Sequence, residues 1–231
     1  MITKCGYTMK QDVCNYLEKK QYKRVLDVGG AMNPWARKYV THYLDLFDPK
    51  AYHQDMIIND ADLQRSISFI GDVCSTKGWD EVIENKCNNG KFDFVICSQI
   101  LEDIRNPDLP LQMMPIIAKE GYISVPTKGI ELSKDVEAYG EKEGWGFKGA
   151  YRGYCHHRWI FTVIDSELIL IPKLNFLETL EGIDQPNPLG AGDLSIFWKE
   201  DIPFKFINND FLGPNPPHIF SLYREFLNKG L

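Results

Sequence analysis

Hydrophobic and polar positions along the chain fall into short apolar runs separated by stretches of helical period. Residues 9–20, MKQDVCNYLEKK, place Val13, Tyr16 and Leu17 on one helical face. KRVLDVG then carries Val25, Leu26 and Val28 in a short run of the kind that forms a buried strand. NPWARKYV reads as a helix, with Asn33 as its N-cap and Pro34 at the first helical position. THYLDLFDP is a second strand closed by Asp48-Pro49, and SISFIGDV, residues 66–73, is a third. KGWDEVIENKC is helical until NNGK stops it, and FDFVICSQ, residues 92–99, is the clearest strand of the chain. PDLPLQMMPIIAK predicts a helix with Pro115 as a kink, and GYISVPT a fifth strand.

Strands that alternate with helices build βαβ units and a parallel sheet, with right-handed crossovers. After Thr127 the pattern changes. Residues 128–158 are rich in glycine, tyrosine and charge without a clean period. RWIFTVIDSELILIPK predicts a hairpin turning at Asp165-Ser166, and LSIFWKEDIPFKFIN another turning near Glu200-Asp201. The expected fold is therefore α/β, a Rossmann-like, mostly parallel sheet with helices on both faces and antiparallel hairpins added in the C-terminal half. No repeat or low-complexity linker divides the chain. The expected organisation is one domain, 1–231, with a cofactor-binding core at 22–127, a substrate lid at 128–158, and hairpins and a helix at 159–231.

Composition changes this picture little. With 231 residues, 44% of them hydrophobic, the chain can bury a real core. No apolar run approaches a membrane span, and the N-terminus lacks the basic-then-apolar layout of a signal peptide. A soluble, cytoplasmic protein is expected. A net charge of −6 disfavours nucleic acid as a partner, since binding it takes basic surface. The six cysteines contain no C-x-x-C pair and read as reduced, buried small residues.

The chemistry begins at RVLDVGGAMNPWAR, residues 24–37. A strand that ends in glycines ahead of a helix brings backbone N–H groups close to a ligand. The dinucleotide fingerprint needs Gly at i, i+2 and i+5. Counting from Gly29 those places hold Ala31 and Pro34, and from Gly30 they hold Met32 and Trp35, so it fails. Asp27 would repel a pyrophosphate but suits a ligand with both an ammonium and a carboxylate, such as the amino-acid end of S-adenosylmethionine. The ordinary alternative is a strand-turn-helix with Asp27 as a cap. Further acids stand at later strand ends. Asp45 could accept from the ribose hydroxyls, with Asp48 its rival. Asp72 could accept from an adenine amino group while Val73 offers a backbone N–H, and Ser98 could line the ring and sulfonium.

VLDVGG, LD, GDV, FDFVICSQILEDIRNP and GYISVPT together resemble the ordered motifs of class I S-adenosylmethionine-dependent methyltransferases, most closely the type 11-like methyltransferase domain group. The resemblance covers roughly residues 22–127. It implies S-adenosyl-L-methionine as cofactor and puts Asp27, Gly29, Gly30, Asp45, Asp72, Val73 and Ser98 at cofactor positions. Ala31 and Asn33 stand where the family commonly has glycines, and Asp103 replaces the histidine of its usual LEH.

Methyl transfer is an in-line displacement in which the protein supplies position and a dry site. A base is needed only for a hydroxyl or protonated amine acceptor. YRGYCHHRWIF, residues 151–161, holds the candidates, His156 and His157. In an extended stretch they point to opposite faces, His156 sharing the face of Arg158. Their ordinary alternative is a structural role at the base of the hairpin. A metal site from His156, His157 and nearby acids ranks well below acid–base work and none is expected, because adjacent histidines chelate poorly on regular structure and no third ligand has a telling spacing. In the lid, Trp145, Phe147, Tyr151 and Tyr154 could stack on a sugar or aromatic acceptor, or merely pack the insert down. The leading function is a methyltransferase acting on a small molecule or saccharide. The rivals are a non-catalytic S-adenosylmethionine- or nucleoside-binding protein of the same fold and an NAD-dependent oxidoreductase. The oligomeric state is left open.

Overall fold

The computed structural model describes residues 1–52, 60–134, 136, 151–183, 193–207 and 216–230. Among them the strands are β1 (Ile2–Tyr7), β2 (Val25–Val28), β3 (His42–Asp45), β4 (Ile67–Ile70), β5 (Phe94–Ser98), β6 (Glu120–Val125), β7 (Trp159–Ile164), β8 (Glu167–Pro172), β9 (Leu194–Lys199) and β10 (Phe204–Phe206). The helices are α1 (Lys10–Lys20), α2 (Pro49–Tyr52), α3 (Ala61–Arg65), α4 (Asp80–Asn89), α5 (Asp108–Ile117), α6 (Lys128–Leu132) and α7 (Pro216–Leu227).

Seven strands form one sheet in the order β1-β9-β6-β5-β2-β3-β4. Strands β2 to β6 pair in parallel, whereas β9 is antiparallel to both β6 and β1. Six strands thus share a direction and β9 alone opposes them. This is the expected α/β class, a mostly parallel sheet. Its pleat sorts neighbours to opposite faces. Val25, Phe94 and Ile96 pack with Val13 and Leu17 of α1. Leu26, Val28, Val95 and Cys97 pack with Val82 of α4 and Leu111, Met114 and Ile117 of α5. Helices therefore cover both faces.

The second sheet has the order β10-β8-β7. The expected hairpin at Asp165-Ser166 is present, joining β7 and β8 antiparallel. Both turn residues lie in the left-handed region, at φ 50° and 63°, which is the type I′ geometry that matches strand twist. Alternate residues of this hairpin serve two cores. Phe161, Val163, Leu168 and Leu170 join the cluster beneath the large sheet. Ile160, Ile169 and Ile171 pack with Tyr223 and Leu227 of α7.

Two expectations need correction, and one strand went unforeseen. LSIFWKEDIPFKFIN is no hairpin: β9 enters the large sheet between β6 and β1, while β10 pairs in parallel with β8. The chain does turn at Glu200, whose φ is 65°, but it leaves for another sheet. β1 was not foreseen, because a partly exposed edge strand needs no strict alternation. The helix expected over NPWARKYV is a run of turns, with Arg37 N–H bonded to the carbonyl of Pro34 at 3.2 Å and Tyr39 N–H to that of Ala36 at 2.8 Å. Packing of Trp35, Ala36, Tyr39 and Val40 into the α1-side cluster overrides local helix propensity there. Much of the expected lid, Trp145 and Phe147 included, lies outside the described residues.

Candidate active site

The chain runs from β2 outward through β3 to β4, then crosses to β5 and β6 on the other side of β2. The loops leaving β2 and β5 therefore diverge, and the crevice of an open α/β sheet lies at that switch point. Here the glycine pair is required by its neighbours. Gly29 has φ +79°, its N–H bonds to the Leu44 carbonyl at 2.9 Å, and a Cβ on it would collide with Ile100 from the β5 loop. A Cβ on Gly30 would collide with the carboxyl of Asp27.

Asp27 is 1% exposed, and neither of its carboxyl oxygens has a hydrogen-bond partner among the described residues. Burial, followed by the nearby charge of Asp45, pushes its pKa up to about 8, against a smaller opposing effect of Lys10. An acid so placed is costly unless something binds it. Asp45, at the end of β3, accepts from the backbone N–H of Ala31 at 3.0 Å and of Leu46 at 2.7 Å. It thus ties down the glycine loop as well as facing the crevice rim, where Met32, Leu46 and Phe47 are exposed. No α-helix follows the glycines, so the helix dipole expected to face a ligand carboxylate is absent, leaving backbone N–H groups of the turns.

The remaining cofactor candidates are spread along the same edge. Asp72 accepts from Cys74 N–H at 2.8 Å and from Arg105 at 2.6 Å, and these contacts hold its carboxyl below the usual range. An adenine amino group would share these oxygens. Val73 turns its side chain into the core, and its carbonyl accepts from the Trp79 indole at 3.0 Å. Ser98 pairs with Ser124 across β5 and β6 at 2.8 Å. Gln99, at φ 56°, begins the loop that carries Ile100 to Gly29.

That loop continues into Glu102 and Asp103, and YCHHRW folds onto it. Arg158 N–H bonds to the Glu102 carbonyl at 2.6 Å, and the Trp159 indole to that of Ile104 at 2.8 Å. Residues 155 and 156 form a turn rather than an extended stretch. The two histidines therefore do not diverge. Their ring centroids lie 4.5 Å apart, and the Nε2 atoms of His156 and His157 stand 3.8 Å and 3.7 Å from Asp103 Oδ1. Behind them His157 Nδ1 meets Glu131 Oε1 at 2.6 Å, and Glu131 Oε2 takes the Lys173 ammonium at 2.7 Å. Lys173 also donates to the Tyr154 carbonyl at 2.7 Å. Glu102 is buried with Oε2 unpartnered among the described residues, and burial, with Asp103 and Glu131 nearby, raises its pKa well above the carboxylate range.

No family model matches the chain, and no curated protein does. Solved structures do. The N-terminal domain of EvdMO1 with SAH bound is similar at 12% identity and TM-score 0.40, over 84% of this chain and 67% of that one. The methyltransferase domain of bacterial CtHen1-C is similar at 12% identity and TM-score 0.46, over 83% of this chain and 96% of that one. A cyclopropane-fatty-acyl-phospholipid synthase-like protein from Lactobacillus casei ATCC 334 is similar at 12% identity and TM-score 0.35, over 54% of each chain.

Chemically, the crevice offers a buried acid unpartnered among the described residues, a glycine turn with no room for side chains, and an acid at the next strand end. The β5 loop offers the carboxylate of Asp103, and the segment ahead of β7 that packs on it offers two imidazoles. Lys10, Glu102, Glu131 and Lys173 complete the two ends of the site and were missed from the sequence. Glu102 had a local signal, standing beside the noted Asp103. Lys10, Glu131 and Lys173 had none, for each is defined by a partner distant along the chain.

Proposed function

We propose that this chain binds S-adenosyl-L-methionine at the β2/β5 crevice and transfers its methyl group to a small-molecule or saccharide acceptor. The observation that carries this reading is Asp27. A buried carboxyl without a partner among the described residues, pressed on Gly30 at the switch point, is a place for a ligand ammonium. The ligand carboxylate would take backbone N–H groups of the glycine turn, and Asp45 the ribose hydroxyls. Met32, Leu46 and Phe47 would cover the apolar faces of the nucleoside. The acceptor would approach from the β5 loop, past Ser98, toward Asp103, His156 and His157. In this reading the chain works as one domain, and Tyr154, whose ring centroid lies 4.8 Å from that of His157, belongs to the acceptor wall.

His157 is the less suited of the two histidines to act as a mobile base. It is buried and its Nδ1 is held by Glu131. His156 is the more exposed and the better placed to meet an acceptor. Calorimetry with S-adenosylmethionine, S-adenosylhomocysteine and NAD tests the proposal. Binding of the first two, lost in Asp27→Ala, is expected; binding of NAD alone would overturn it. A non-catalytic binder would hold the cofactor without turning over any saccharide or hydroxylated small molecule in a methyl-transfer panel.

A further inference from the structure

We infer that Asp103, His156 and His157 form a binding site for one divalent transition-metal ion, of the Zn²⁺ or Co²⁺ class, on the acceptor side of the crevice. Among the described residues these three each offer one donor atom, and the donors lie within 4.8 Å of one another. The Asp103 distances of 3.7 Å and 3.8 Å are too long for direct hydrogen bonds. They suit two atoms flanking one ion at bond lengths of about 2.0–2.2 Å.

The tautomer supports this. A carboxylate accepts, so Glu131 fixes the His157 proton on Nδ1 and leaves the Nε2 lone pair toward Asp103. Glu131 is 1% exposed and is itself held by Lys173, so the imidazole is oriented by a rigid buried pair. Asp103 and His156 are about half exposed, which leaves the outer side of the site open to water or an acceptor. Two imidazoles and one carboxylate select a transition metal over Mg²⁺ or Ca²⁺, which prefer all-oxygen sites. The sequence set a metal below acid–base work because the third ligand, Asp103, comes from a loop more than fifty residues earlier and has no telling spacing to the histidines.

The ion would bind an acceptor hydroxyl and lower its pKa. The O–H bond breaks and its proton passes to bulk water. The oxygen lone pair forms the new C–O bond, and the methyl carbon leaves the sulfonium sulfur, which keeps the bonding pair. This role rests on the proposed methyl transfer, but the metal site is tested without cofactor.

The test is a titration of the metal-free full chain with Co²⁺, followed by visible absorption and calorimetry, with Zn²⁺ as competitor. One equivalent is expected, with d–d bands, displaced by Zn²⁺ and untouched by Mg²⁺. Affinity should fall at least tenfold in Asp103→Ala and in His156→Ala, both half-exposed positions. Asp103→Asn and His156→Gln, nearly isosteric, should repeat the loss if either alanine variant melts early. Cys155 is exposed beside His156, so Cys155→Ser should leave binding unchanged and no thiolate charge-transfer band should appear. No binding, or equal binding in the Asp103 and His156 variants, would overturn the inference. S-adenosylmethionine affinity of the metal-free protein is measured separately. Its failure with the metal intact sinks the proposed function and leaves the metal site standing.

Discussion

Asp27 concentrates the physical tension of the molecule in one side chain. Its folded pKa of about 8 lies above the unfolded value, so between the two the folded state holds a proton that the unfolded state does not. Stability therefore falls as pH rises through that window, by at most about 1.4 kcal/mol per unit. Asp27→Asn removes the slope. It should melt higher than the parent at pH 8, with a smaller gap at pH 5, while losing cofactor binding. Melting curves at the two pH values check this, and parallel pH slopes in both proteins would refute the buried-acid account. At the next position in the crevice, Gly30→Ala drives a methyl into the same carboxyl and should cost about 1–3 kcal/mol. Denaturant unfolding measures it. Asp27, Gly29, Gly30, Asp45 and Ser98 were legible in the sequence because each sits at the end of a recognisable strand. Lys10, Glu131 and Lys173 were not, because a charge is meaningful only beside its partner.

Among the elements, the β7–β8 hairpin and the segment that docks on it are set by different kinds of force. The turn at Asp165-Ser166 needs two left-handed residues, and neither is the best choice for it. Replacing the pair by Asn-Gly should stabilise the protein, because both residues tolerate the left-handed turn better, and this is seen as a higher denaturant midpoint at unchanged slope. The docking of α6 against residues 154–157 rests instead on Glu131. Glu131→Gln leaves the Lys173 ammonium, whose side chain is 8% exposed, without its counter-charge. It should cost about 3–5 kcal/mol. Lys173→Met in the same background should recover part of that loss, and a double-mutant cycle would read the coupling. Full additivity would show that the pair does not interact. Hairpin, turn and parallel strands were readable from local pattern, whereas the abandoned helix over NPWARKYV was not, because its side chains are claimed by α1 and the sheet.

For the whole molecule, the proposed cofactor should act as a folding ligand. S-adenosylmethionine at a hundred times its Kd should stabilise the chain by about 2.7 kcal/mol, with no comparable shift from NAD. A thermal-shift series reads both, and a shift from NAD alone would remove the methyltransferase reading. The sequence by itself determined the alternation of parallel strands and helices, the glycine turn, and the acids at successive strand ends. Each of these follows from local period or from the backbone demands of one turn. Only the tertiary structure decided that β9 lies between β6 and β1, that β10 joins β8, and that Asp103 meets both histidines. Strand partners and convergent side chains are chosen by burial between segments far apart in sequence, and no local pattern records that choice.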